Sequence, residues 1–298
     1  MPRVAWFVLL AIAGVLAFGL LAAAFVVAAG SDKDAEETEA IPPATRPLEL
    51  PLADDDSALM LAKRSGRMLV GIAYKPGGPV EVAVLRGEQA VPASELSFAV
   101  NGRETEAEPC GYGCFAIAAA RPRQIAVGVP ERVRFDLPAT PPASATELFA
   151  RVSRTMEGLR TYRFDEWLTA GVGRGTRATF EVQAPDRMRF RTAAGSRSVV
   201  VGRSRWDHRG GRWQRTPFPG VELPSYMWDG ATAARVLPGP GGNSASVAVF
   251  DREPVPAWFK LTIDDQGHVV DAEMLAPSHF MRQRFYDFNA PLRIVPPA

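Results

Sequence analysis

Apolar and polar positions alternate in different ways along this chain. Between Val4 and Ala29 they do not alternate at all, because no charged or strongly polar side chain interrupts the run. As a helix the run would be roughly 39 Å long, against about 30 Å for a hydrocarbon core. Arg3 precedes it and the acidic stretch Ser31-Asp32-Lys33-Asp34 follows, an asymmetry that keeps the first residues cytoplasmic and exports the rest. Residues 1–29 are read as a transmembrane anchor in the cell membrane or, with the small Val27, Ala28 and Ala29 at a cleavage position, a signal segment. Both readings make the bulk of the chain extracytoplasmic.

Residues 30–65 are acidic and proline-rich and read as an extended tether. From 66 to 137 the pattern changes to short apolar or alternating runs (MLVGIAY, VEVAVLR, LSFAVNG, CFAIAAA, RQIAVGV, RVRFDLP) separated by turn residues such as Asn101-Gly102. Six or seven strands in so few residues predict a small immunoglobulin-like β-sandwich. A proline-rich joint, 138–144, leads to residues 145–298. There Ser144 and Glu147 match a capping box, and Leu148, Val152, Met156 and Leu159 share one helical face. About ten alternating strands follow, with turns at Ala184-Pro185-Asp186, Gly210-Gly211 and Asp264-Asp265-Gln266-Gly267. One interruption, Tyr226 to Leu237, predicts a short helix with Ser225 as N-cap.

In Arg187-Met188-Arg189-Phe190-Arg191 the apolar and cationic side chains take opposite faces of a strand. One dry face of about ten strands then needs more cover than two short helices supply. The expectation is a sheet curled around a partly empty apolar hollow. Its predicted lining is Trp167, Phe180, Met188, Phe190, Trp206, Trp213, Met227, Trp228 and Trp258. The alternative is a hollow filled by the protein's own side chains, which would make the chain an envelope interaction module with a protein partner.

Composition narrows the chemistry. The net charge of +1 over 298 residues offers nothing for nucleic acid. The three histidines, His208, His268 and His279, have no metal-ligand spacing, and neither HExxH nor GxSxG occurs. No catalytic residue, metal site or cofactor is assigned, and the chain is read as a non-enzyme. Cys110 and Cys114 are the only cysteines, and in an exported domain they predict a disulfide. The rival is a Cu(I) site or redox pair using the same thiolates.

Several stretches of the last domain carry a family likeness: Thr161-Tyr162-Arg163-Phe164, the Trp206/Trp213 hairpin, the Tyr226-to-Leu237 segment, Phe285-Tyr286-Asp287-Phe288-Asn289 and Pro296-Pro297. Residues 145–298 thereby resemble the LolA/LppX-like lipoprotein-carrier superfamily. The resemblance implies a mainly β fold, a half-open antiparallel barrel with helices as a lid over an apolar cavity that holds acyl chains. It implies a lipid or acylated molecule as partner. Residues 66–137, through the Cys110-Gly111-Tyr112-Gly113-Cys114 turn, resemble CopC/YtkA-like domains found with copper-transport proteins, without the histidines of a copper site.

Overall fold

Met68-Leu69-Val70-Gly71-Ile72-Ala73-Tyr74 has no polar position except its terminal hydroxyl, and all seven residues are buried. A strand apolar on both sides must be covered on both sides, and this one is the middle layer of the molecule. The computed structural model describes residues 48–298 except 56, 130, 141, 171–174, 232, 239–243 and 253–254. The apolar run 4–29 and most of the acidic tether lie outside the described residues. Among the described residues no helix is long and apolar enough to cross a membrane.

The first lobe has ten strands: β1 (Leu59–Ser65), β2 (Met68–Tyr74), β3 (Val80–Arg86), β4 (Gln89–Ala90), β5 (Ser97–Val100), β6 (Arg103–Thr105), β7 (Glu108–Gly111), β8 (Cys114–Ile117), β9 (Gln124–Val129) and β10 (Glu131–Asp136). They form two antiparallel sheets, β1-β2-β3-β8-β7 with β4 on β3, and β10-β9-β5-β6. Alternate residues of β2 and β3 (Val70, Ile72, Val82, Val84) meet Phe98, Ile125, Val127 and Phe135 between the sheets. Strand β1 falls inside the stretch read as tether, where Leu59 and Met60 are buried. Cys110 and Cys114 form a disulfide, so neither sulfur is a thiolate ligand.

The second lobe opens with α1 (Thr146–Glu157), followed by β11 (Thr161–Ala170), β12 (Thr176–Gln183), β13 (Arg187–Thr192), β14 (Arg197–Val201), β15 (Ser204–Arg209), β16 (Arg212–Pro217), β17 (Ala233–Leu237), β18 (Ala245–Asp251), β19 (Ala257–Ile263), β20 (Val269–Ala276) and β21 (His279–Tyr286). All eleven strands make one antiparallel sheet, ordered β16-β15-β14-β13-β12-β11-β21-β20-β19-β18-β17. The sheet stays open: β16 and β17 are its two edges and do not pair with each other, so it is not closed into a barrel. The β17 edge is capped instead by residues 143–145, through Ala145 N–H to the Ala234 carbonyl and Val236 N–H to the Ala143 carbonyl.

Two local expectations change. Ala145 stands at the N-cap and makes no side-chain cap bond. Ser144 is drawn into a bridge with Arg235, and its hydroxyl accepts from the Thr146 amide at 3.3 Å, so no capping box forms. The predicted helix from Tyr226 to Leu237 is a turn followed by strand β17. Residues 233–237 gain a full ladder with β18, and their apolar positions complete two sheet faces. Tertiary pairing outweighs a weak local helix preference.

The two faces of the large sheet are covered differently. We call the face under α1 inner and the other outer. On the outer face, Trp258, Phe250 and Phe280 pack on Leu69, Ala73, Ala83 and Leu85 of the first lobe. Here a glycine is required: a Cβ on Gly71 would stand 2.7 Å from Trp258 Cζ2. Gly71→Ala should therefore lower stability by about 1–3 kcal/mol in urea unfolding. The cost should largely disappear in a Trp258→Ala background; an equal cost in both backgrounds would disprove the wedge.

Candidate functional site

Strand register assigns each ring carried on a strand of the second lobe to one of the two faces. On the inner face Tyr162, Phe164, Phe180, Phe190 and Phe285 are cross-strand or same-strand neighbours. Phe164 stacks on Phe180 with centroids 4.5 Å apart, and Phe180 on Phe190 at 5.3 Å. The result is a three-ring ladder across β11, β12 and β13.

Helix α1 covers part of this face with Val152 and Met156, both fully buried. The turn after β16 covers the centre. Its Trp228 is completely buried, stacks on Tyr226 at 5.1 Å and meets Phe285 edge-on. Tyr226 donates its hydroxyl to the Met156 carbonyl at 3.0 Å, which ties turn to helix. Burial pushes the Tyr162 and Tyr226 phenols far above their ordinary range, so both remain protonated.

Away from that plug the cover thins. Leu168, Ala178 and Phe180 are only half-buried, while Phe164, Phe190 and Met281 beneath and beside them are buried. Glu166 lies within this patch, opposite Ala178 and between Phe164 and Leu168 on the same face. Gln283 donates to it at 2.8 Å, and burial raises the Glu166 carboxyl above the usual carboxylate range. Beyond Phe190, buried Asp207 accepts from Ser198 and from Arg205, whose guanidinium lies 5.9 Å from the Phe190 centroid. The arrangement can hold an apolar chain against Leu168 and Phe180, with polar partners at Glu166/Gln283 and at Arg205/Asp207.

The nine predicted lining residues are not gathered on one surface. Phe180, Met188 and Phe190 lie on the inner face, and Met227 and Trp228 belong to the turn above it. Trp167, Trp206, Trp213 and Trp258 take the outer face. Trp167 lies three positions from Phe164, and an odd spacing on one strand reverses the face. Trp206 stands beneath the Arg215 guanidinium at 5.6 Å, and Trp213 meets the His208 ring edge-on at 5.0 Å. The hairpin's rings are therefore screened by its own polar side chains. Trp258 is buried between the lobes.

Sequence reasoning missed Tyr162, Phe164 and Phe285, which form the middle of the inner face. Their parity with Phe180 and Phe190 becomes visible once the strand pairs are known. Among the described residues no group of three or more His, Cys, Asp or Glu side chains could hold a metal ion.

The sequence matches no protein-family profile, and no curated protein matches it. Solved structures similar to about half of this chain include the following. The lipoprotein LppX of Mycobacterium tuberculosis is 17% identical over 51% of this chain and 100% of its own, with a TM-score of 0.39. LprF from Mycobacterium bovis is 12% identical over 52% and 100%, at 0.37. A LolA superfamily protein from Nitrosomonas europaea is 9% identical over 52% and 96%, at 0.26.

Asp229 offers a test of the turn. Its carboxylate accepts the Tyr226 amide at 2.7 Å. Removal from water pushes the group up to about 6, with Glu157 adding to the rise against the lowering effect of that amide. The folded protein then binds a proton that the unfolded chain has lost, so stability falls as pH rises from about 4 to 6. Because the residue as a whole is exposed, solvent screening limits the effect to on the order of 1 kcal/mol. Asp229→Asn should stabilise the protein by that amount at pH 7 and not at pH 4. Thermal melts showing the same gap at both pH values would refute the assignment.

Proposed function

We propose that the second lobe binds the acyl chain of a lipid or acylated molecule on the inner face of its sheet. The observation that carries the reading is that Leu168, Ala178 and Phe180 are only half-buried on the inner face, Phe180 being the middle ring of the stacked Phe164–Phe180–Phe190 ladder. An eleven-stranded sheet with one helix and one turn over this face leaves apolar surface for a guest. An acyl chain is also the cargo class that the sequence resemblance implies.

The affinity follows from the burial. Each methylene removed from water contributes about 0.8 kcal/mol. Ten of them give roughly 8 kcal/mol before the losses of association, which is micromolar at best. A protein that must release its cargo works in that range. The polar pair Arg205/Asp207 beyond Phe190 fits a headgroup that stops there, and Glu166/Gln283 offers a polar contact within the strip.

The apolar run 4–29 supports a membrane-tethered, extracytoplasmic setting for this activity, with the acidic stretch as the link to the two lobes. In this reading the protein is a carrier or holder of lipid rather than an enzyme. The rival is an envelope interaction module, and the observation favouring it is the buried Trp228 plug, which already fills the centre of the inner face.

Titration of the full-length protein with dansyl-labelled undecanoic acid separates the two. Binding should saturate in the micromolar range. Ala178→Trp, which fills the strip, should weaken it about tenfold or more, the loss expected if about two methylenes return to water. Trp206→Ala, on the outer face, should leave it unchanged. No saturable binding, with no lipid found by mass spectrometry of the purified protein, would sink the carrier reading.

A further inference from the structure

The outer face holds a second feature, independent of the acyl strip because the sheet lies between them. A groove of about 610 Å³ crosses strands β21, β11, β12 and β13. That volume lies in the range of small-molecule sites, roughly 300–1,000 Å³. Register builds its floor. Trp167 lies directly between Arg177 on one neighbouring strand and Arg282 on the other. One step along, Asp165 lies between Thr179 and Arg284, and Arg191 faces Thr179 from β13.

The charges in the groove do not cancel. Four arginines line it, against the outer-face carboxylates Asp165 and Asp271. Glu166 also borders the groove, but its side chain is bonded to Gln283 on the inner face. Asp271 is taken by Arg282 at 2.9 Å. Asp165 accepts the hydroxyls of Thr179 at 2.8 Å and Tyr286 at 3.4 Å. Among the described residues, Arg177, Arg191 and Arg284 have no ion pair. Farther along the same face the pattern reverses: Arg163 and Arg189 share Glu181, and Arg163 also reaches Asp287. Arg163 and Arg189 are thus paired, whereas three arginines inside the groove are not.

Trp167 adds an apolar element. It is 38% exposed, one of three large hydrophobic residues open to solvent in the described chain. The Arg64 guanidinium of the first lobe stands 5.9 Å from its ring and brings a fifth cation to the edge of the groove. Guanidinium groups present paired donors that match the oxygens of a phosphate, and aromatic rings take carbon skeletons.

We propose that this groove binds a phosphate group carried on a small organic molecule. Arg177, Arg191 and Arg284 take the phosphate oxygens, and the open side of Trp167 takes the adjoining carbon skeleton. The phosphate can belong to a free metabolite or to a lipid headgroup, and the chemistry of capture is the same.

The test uses the full-length protein. Isothermal titration compares glucose phosphate with glucose. Flotation compares phosphatidylcholine vesicles with and without phosphatidylinositol phosphate. Binding of glucose phosphate, weakening with added salt, identifies a free ligand; binding confined to the phosphoinositide vesicles identifies a headgroup. Either supports the groove. Arg177→Gln with Arg191→Gln should reduce that binding about tenfold or more, since each charge-assisted bond lost is a large term. The charge-matched pair Arg187→Gln with Arg189→Gln, outside the groove, should reduce it far less. Arg284→Gln alone supplies an independent loss should the first pair unfold in thermal melts. The proposal is overturned if neither phosphate probe exceeds its neutral control, or if the outside pair weakens binding as much as the groove pair.

Discussion

A side chain on an extended strand belongs to one face of its sheet, and its neighbours on either side belong to the other. In an eleven-stranded sheet this period of two decides the chemistry of each surface. The inner face receives Tyr162, Phe164, Val182, Met188 and Phe285. The outer face receives Arg163, Trp167, Arg177, Arg189 and Arg191 from the same strands. Neither surface could be built alone, because Phe164, Phe180, Phe190 and Phe285 are each flanked by outward polar residues.

Each face then has to be kept from water by different means. Part of the outer face is covered by the first lobe, where Trp258 lies against Gly71 and the apolar residues of β2 and β3. That contact makes the two lobes share a core and leaves the groove at the edge of the covered area. The inner face has α1 and the Tyr226–Trp228 turn. Their cover is complete over Phe285 and incomplete over Phe180, and the proposed acyl strip is this remainder. Asp229 and Glu157 place acidic charge at the end of the turn, where it acts against the burial that the turn achieves.

The Cys110–Cys114 disulfide closes a tight link between β7 and β8 at the rim of the shared core, where Cys114 is buried beside Leu85. Its position among apolar side chains suits a structural cross-link, and both sulfurs are used in it. A copper role through thiolates would require that bond to be reduced.

Much of the architecture was legible along the chain. Arg187-Met188-Arg189-Phe190-Arg191 declared its two faces by alternation, and the all-apolar Met68–Tyr74 announced burial on both sides. Val152, Met156 and Leu159 placed one amphipathic helix. Alternation, helical spacing and turn residues are local, so they survive without coordinates. The destination of the tryptophans was not local. Large rings at Trp167, Trp206, Trp213 and Trp258 look alike in a sequence, yet one is buried between lobes, two are screened by neighbouring polar side chains and one lies open in a groove. Strand pairing between distant segments settled that, and it turned Ala233–Leu237 from a plausible helix into a strand with a partner on each side. The sequence by itself determined which residues must hide from water, since apolar burial depends on composition and period. Only the tertiary structure decided where they hide, because the partner that covers each face comes from residues far away in the chain.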